Sequence, residues 1–470
     1  MDAKNQLPFL RIPPFPGARP APLAQPNQAF EAHVSDADVD GLIEAVRDAQ
    51  VGGNYWTDET DADSPLLQRI AQSATNGISS GLREDFRKRV LDGVAYSDPF
   101  TGERIGPAEA IAYCAHWRRL IDSNRDIRGA IGFAFWKRPT VAPLLWAGSD
   151  VRFMSRPDSK GGSIAIWKSR TSKEVLEELE RLAVPIVEVE DGFIRSAGLG
   201  ADCVPPLSIV VDRRGVHFDP CEPSDLEQMI ETGGFSADVL GRARRLRELI
   251  VSSGISKYGA SAGKLEPGAS GKRQILVTGQ VEDDRSVLCG GGEVRTNLEL
   301  LRRARAAGPD THILYKPHPD VEAGHRVGFI SDELCLTLAD EIVRDAPISA
   351  LIDMVDEVHV NTSLAGFEAL LRGKQVTTHG VPFYAGWGLT RDLGRVPERR
   401  TATRSLEELV AAVLLLYPRY LDPVTGLPCT PEILIHRLSE EKVVQNDGPV
   451  VWFRRLQGRV KRALAELRVW

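Results

Sequence analysis

Two separate stretches of this chain alternate short apolar runs with amphipathic helical segments, and a Gly, Ser, Ala and Lys stretch between 253 and 272 divides them. In the first, Ala130–Phe135, Val151–Met154, Ser163–Trp167 and Pro185–Val189 have the length and composition of strands, and a capping box at Thr171-Ser172-Lys173-Glu174 opens a helix over Ser172–Leu182. In the second, Gln274–Thr278, Thr311–Tyr315, Glu357–Val360 and Gln375–Thr378 read as strands, and Thr296–Ala307 and Leu364–Leu371 as helices. Strands alternating with helices build parallel sheets covered by helices, so the expected class is α/β, with two Rossmann-like domains facing a cleft. Leu207–Val211 and Val216–Phe218, joined through Asp212-Arg213-Arg214-Gly215, read as a hairpin appended to the first sheet.

The chain has 470 residues, more than one core usually supports, so extensions are expected around the two domains. Residues 1–30 carry seven prolines and read as an extended or disordered arm. Residues 31–127 read as a helical extension, 128–262 as the N-terminal Rossmann-like domain, 263–395 as the C-terminal one, and 396–470 as a C-terminal helical tail. Within that tail, Trp452–Trp470 has the pattern of a basic amphipathic helix, fit either to lie on an anionic membrane surface or to pack back onto the first domain.

A net charge of −7 argues against nucleic-acid binding through a global basic field, so any phosphate site must be local. The six cysteines are scattered without a Cys-x-x-Cys pair, which indicates neither a zinc site nor a disulfide framework and suits a reducing cytoplasm. No apolar run reaches spanning length and the N-terminus lacks a signal-peptide pattern, so a cytoplasmic protein is expected.

Candidate site residues cluster at predicted strand ends, where α/β proteins bind ligands. Glu190-Asp191-Gly192 closes the strand that begins at Pro185, and its crowded carboxylates suit acid/base work or, more plainly, a solvated strand end. Gln280 and Asp284 lie in the first loop of the second domain, where a carboxylate can act as nucleophile or base. His318, fixed between Pro317 and Pro319 and preceded by Lys316, has the restricted backbone of a preorganised phosphate contact. Thr362 and Ser363 open a helix whose free N–H groups and hydroxyls suit an anion, with Glu368 further in as a partner for ribose hydroxyls. Trp136-Lys137-Arg138 and Trp167-Lys168 place cations beside aromatic rings, as a carboxylate-bearing substrate needs or as rim residues. Pro382–Gly388 reads either as a cap over a nucleotide base or as an aromatic plug between the domains.

Ala134–Arg138, Val189–Gly200, Gln280–Ser286, Tyr315–Asp320 and Thr362–Leu370 together resemble the capsule polysaccharide biosynthesis/export family, over roughly residues 110 to 425. Its members include β-Kdo glycosyltransferases that build the oligo-Kdo linker between a phospholipid and capsular polysaccharide. The resemblance implies a GT-B-like fold and transfer of Kdo from CMP-Kdo, with retention and without a metal or cofactor, onto a glycolipid acceptor at the inner face of the cytoplasmic membrane. It also implies contacts with other capsule assembly proteins. Glu190 and Asp191 match the acid/base motif, and Asp284 matches the nucleophile, with Asp283 as its rival. His318 with Lys316, Thr362, Ser363 and Glu368 matches the CMP site, while Gln280, Lys137, Arg138, Arg195 and Lys168 fall to the substrate. Many relatives carry two modules in tandem; here each motif occurs once. The alternatives are transfer of another CMP-linked acid sugar and a non-catalytic assembly or export component.

Overall fold

A computed structural model describes residues 7–27, 34–158, 161–196, 204–256, 259–260, 271–324 and 326–440. Two large sheets carry the architecture. In the second, the strands run in the order Glu341–Ile342, His312–Lys316, Gln274–Thr278, Glu357–Val360, Gln375–Thr378, Arg391–Asp392, and every pair is parallel. Numbered by position in the chain this is 3-2-1-4-5-6, the Rossmann order, whose direction reverses between Gln274–Thr278 and Glu357–Val360. Each residue of Gln274–Thr278 and of Glu357–Val360 is buried, as expected for strands covered by helices on both faces.

The first sheet runs Pro428–Cys429, Pro418–Leu421, Ser208–Asp212, Ile186–Asp191, Ser163–Ile166, Ile127–Ile131, Phe153–Met154. Its last four strands are parallel; Ser208–Asp212 and the two strands beyond it pair antiparallel. The fold is GT-B-like.

Three expectations are corrected here. Ser208–Asp212 forms, but residues 216–218 do not pair with it. The Asp212 carboxylate accepts from the backbone N–H groups of Arg214, Gly215 and Asp225, which turns the chain away, and Pro418–Leu421 takes the vacant edge. The segment after 396 is therefore not simply a helical tail: it contributes two strands to the first sheet as well as the helices Leu406–Val410 and Pro431–Ser439. The amphipathic stretch at 452–470 lies outside the described residues.

Nor is the proline-rich segment a free arm. Phe9, Leu10 and Phe15 are buried, Phe15 meets Trp146 edge-on at 5.1 Å, and Ala24–Pro26 pairs with Val94–Ser97. Proline prevents helix, but it does not prevent the apolar side chains between prolines from leaving water. The extension behind it holds the helices Asp36–Ala49, Ser64–Asn76, Ser80–Phe86 and Pro107–Asn124, with the short strands Val94–Ser97 and Arg104–Ile105 among them. No described helix is long and apolar enough to cross a membrane.

Candidate functional site

The second sheet supplies one half of the site at its switch point. Gln280 leaves the strand Gln274–Thr278 and Thr362 leaves Glu357–Val360, so the two loops are neighbours. The Gln280 amide closes on Thr362 at both ends: its Oε1 accepts from the Thr362 backbone N–H at 2.8 Å, and its Nε2 donates to Thr362 Oγ1 at 3.0 Å. The Thr362 N–H is thereby used, which corrects the expectation that the N–H groups here are all free for an anion. Its hydroxyl accepts from Gln280 and so keeps its own proton to donate.

Gln280 is itself held by a residue that sequence reasoning passed over. Asn297, 3% exposed, accepts from the Gln280 N–H at 2.8 Å and donates to the Gln280 carbonyl at 2.7 Å and to the Gly328 carbonyl at 2.9 Å. Only the predicted helix start at Thr296 pointed to this stretch.

Asp284 caps the helix Arg285–Gly290, its Oδ1 accepting from the Ser286 N–H at 2.9 Å and the Ser286 hydroxyl at 2.8 Å. Thr362 Oγ1 lies 3.5 Å from Ser286 Oγ, which joins the carboxylate to the Gln280–Thr362 pair. Asp283 instead is exposed and paired with Arg326 at 3.1 Å. Ser363 caps Leu364–Leu371 by accepting from the Ala365 N–H at 3.2 Å. His318 Nδ1 accepts from the Asp320 N–H at 3.2 Å, so the neutral ring carries its proton on Nε2 and can donate to an anionic oxygen. Gly279 allows that approach, since a Cβ there would stand 2.6 Å from Tyr315 Oη and 3.3 Å from the His318 nitrogen.

The first sheet supplies the other half. The loop after Ile127–Ile131 brings in Lys137, and Ile186–Asp191 ends in Glu190 and Asp191. Asp191 is not an isolated strand-end acid: Lys137 Nζ donates to Oδ1 at 3.1 Å and Arg195 Nε to Oδ2 at 2.8 Å. Both cations are buried, and the Lys137 ammonium stands 3.2 Å from the centre of the Trp167 ring. Burial pushes Lys137 down to about 8, against the opposing pull of Asp191 and Glu190. Arg195 is further fixed by Ser196 and by the Val204 carbonyl at 2.8 Å. Gly192 lets the chain turn against Ser208, whose carbonyl accepts the Gly192 N–H at 3.0 Å.

Aromatic packing joins the halves. Phe193 lies 4.8 Å from Phe383, centroid to centroid, and the next residue, Tyr384, donates its hydroxyl to the Ser363 carbonyl. Phe383, Tyr384 and Trp387 are buried, so Pro382–Gly388 is an aromatic plug rather than a cap over a base.

Some predicted contacts lie elsewhere. Lys168 pairs with Glu188 at 2.6 Å, and Arg138 is exposed, stacking over Phe153 and donating to the Phe133 carbonyl at 3.2 Å. Lys316 reaches the Arg344 carbonyl, with burial lowering its pKa. Glu368, 7% exposed, lines an apolar crevice with Phe193, Ile194, Ile250, Phe367 and Leu371 rather than an open nucleotide edge.

A sequence profile described as capsule polysaccharide biosynthesis protein matches residues 163–262 and 259–420. The chain is 36% identical over 397 residues to the capsule polysaccharide modification protein LipA of Neisseria meningitidis serogroup B, covering 83% of this chain and 56% of LipA. It is 43% identical over 266 residues to the lipopolysaccharide-processing protein LpsZ of Rhizobium meliloti, covering 55% of this chain and 60% of LpsZ. The chain thus spans less than two thirds of these relatives. Two structures of Thermosulfurimonas dismutans KpsC are also similar. The β-Kdo 2,7 transferase is 35% identical with a TM-score of 0.55, over 67% of this chain and 99% of that one. The β-Kdo 2,4 transferase is 32% identical with a TM-score of 0.58, over 66% and 98%. These likenesses support a KpsC-like glycosyltransferase, and on the profile and the identities together this chain belongs to the capsule polysaccharide biosynthesis protein family, as a KpsC-type member.

Proposed function

We propose that this protein transfers Kdo from CMP-Kdo, with retention, onto a lipid-linked Kdo acceptor during synthesis of the capsular polysaccharide linker. The observation that carries the reading is the continuous set Gln280, Thr362, Ser286 and Asp284 at the switch point of the second sheet: it sets a hydroxyl donor for a phosphate beside a carboxylate held in one orientation. The KpsC likenesses supply the sugar.

In this reading the Thr362 hydroxyl, Ser363 and the His318 Nε2–H bind the CMP phosphate. An Asp284 oxygen forms a bond to the anomeric carbon as the bond from that carbon to the phosphate oxygen breaks, and the electron pair leaves on CMP. The acceptor hydroxyl then attacks the same carbon; the carbon–Asp284 bond breaks, its electron pair returns to the carboxylate, and the hydroxyl proton passes to the Glu190–Asp191 pair. Two displacements restore the donor's configuration. Lys137 and Arg195 hold Asp191 in place. The imidazole and the hydroxyls balance the charge on the leaving phosphate, so no divalent metal is required. The lipid-linked acceptor places the work at the inner face of the cytoplasmic membrane, with other capsule assembly proteins as partners.

The test is incubation of the purified chain with CMP-Kdo and a synthetic Kdo-terminated acceptor. A Kdo-extended product is expected. No product, together with no CMP binding by calorimetry, overturns the proposal, and transfer only from another CMP-linked acid sugar reassigns the donor.

A further inference from the structure

Three hydrogen bonds, all donated in a single direction, link four side chains from the nucleotide side to the candidate nucleophile. Gln280 Nε2 donates to Thr362 Oγ1 at 3.0 Å, Thr362 Oγ1 to Ser286 Oγ at 3.5 Å, and Ser286 Oγ to Asp284 Oδ1 at 2.8 Å. The Gln280 end is fixed, because its Oε1 already accepts the Thr362 N–H at 2.8 Å and only the amide nitrogen is left to face the hydroxyl. The Asp284 end is fixed as well, because a carboxylate oxygen can only accept. Ser286 is therefore the one link that touches both the phosphate-donor hydroxyl and the carboxylate.

We propose that Ser286 is a positioning residue that couples donor binding to attack. Resting on the reading that Asp284 is the nucleophile, the coupling works as follows. The long 3.5 Å bond from Thr362 is the weakest of the chain and is the one that breaks when a phosphate oxygen arrives to accept the Thr362 hydroxyl's hydrogen bond instead. Ser286 then keeps its short bond to Oδ1. With Oδ1 held by the hydroxyl and the N–H of Ser286, Oδ2 is the oxygen that forms the bond to the anomeric carbon.

Ser286→Ala removes the hydroxyl and keeps the backbone N–H that caps the helix, so the fold and the cap persist. The assay is steady-state transfer from CMP-Kdo to a Kdo-terminated acceptor, with CMP affinity by calorimetry and melting temperature measured alongside. The expected result is a fall of about 10- to 100-fold in kcat, the loss of a hydrogen bond to a charged group, with CMP affinity within about 3-fold of wild type. Ser286→Thr restores most of the rate, and adding Ser286→Ala to Asp284→Ala changes nothing further. A Ser286→Ala enzyme with wild-type kcat overturns the proposal, as does one whose CMP affinity falls in step with its rate or which the threonine variant does not rescue. An active wild type with an indifferent Ser286→Ala removes Ser286 alone; a wild type that transfers nothing removes the transferase reading and this inference with it.

Discussion

Gly192→Ala is the sharpest structural test of the acceptor-side half. A Cβ at 192 would stand 2.8 Å from the Ser208 Cβ and 3.1 Å from the Ser208 carbonyl carbon, and would overlap the Ser208 hydroxyl more closely still. None of these can withdraw cheaply. Ser208 is fully buried in an inner strand, its hydroxyl donates to the Ile194 carbonyl, and its own carbonyl holds the Gly192 N–H at 3.0 Å. Overpacking of a buried site costs about 1–3 kcal/mol, and losing the Ser208 to Ile194 bond adds about 0.5–1.5 kcal/mol, so a destabilisation of about 2–4 kcal/mol is expected. Urea unfolding of wild type and variant, extrapolated linearly, reads the difference. Because Gly192 separates Asp191 from Phe193, the same strain moves the carboxylate off Lys137 and Arg195, and transfer should fall as well. In the double variant Gly192→Ala/Ser208→Gly the Cβ and hydroxyl overlaps vanish, and at least half of the lost stability should return. A single variant within about 0.5 kcal/mol of wild type, or a double variant no better than the single, refutes the reasoning.

Gln280→Ala leaves the Thr362 N–H and hydroxyl without their partner, and CMP affinity measured by calorimetry should drop about 10- to 100-fold while the melting temperature changes little. Lys137 has a folded pKa of about 8, below the unfolded value of about 10.4, so the unfolded chain binds more protons between them and stability contributed by this group rises with pH through that window. The stability of wild type relative to Lys137→Met, measured at pH 7.5 and about 9.5, should therefore increase; a flat or falling difference contradicts this. His379 is buried against His359 at 3.1 Å, and burial first, then the charges of His359, Arg303 and Arg391, hold it down to about 3. Its neutrality contributes stability above an unfolded value of about 6.5 that is lost as pH falls toward 3, so wild type should lose more stability than His379→Gln between pH 7 and about 5.

Local chemistry in the sequence was enough to locate most of the fold and its strand ends. Gln274–Thr278 has an apolar middle and Glu357–Val360 alternates valine with polar residues, and the structure puts strands at the same positions. Pairing between distant segments left no such trace. Pro418–Leu421 joins Ser208–Asp212 across some two hundred residues, and a proline at a strand's first position argues locally for an end rather than an edge strand. Site residues followed the same division. Asp284, Gln280, Thr362 and His318 were legible because they stand where strands of an α/β sheet release the chain. Asn297 and Ser286 were not, because Asn297 acts through the backbone of another loop and Ser286 gains its role from Thr362, 76 residues away, so that only the folded neighbours reveal them. The Lys137–Asp191–Arg195 group shows the middle case, with every member visible and their mutual neutralisation hidden.

The most direct test of the central claim is the configuration at the newly formed anomeric centre, read by NMR on the product of CMP-Kdo and a Kdo-terminated acceptor. Attack by Asp284 followed by attack of the acceptor predicts the same configuration as in the donor. An inverted product would contradict a carboxylate intermediate and return Asp284 to the role of a helix cap.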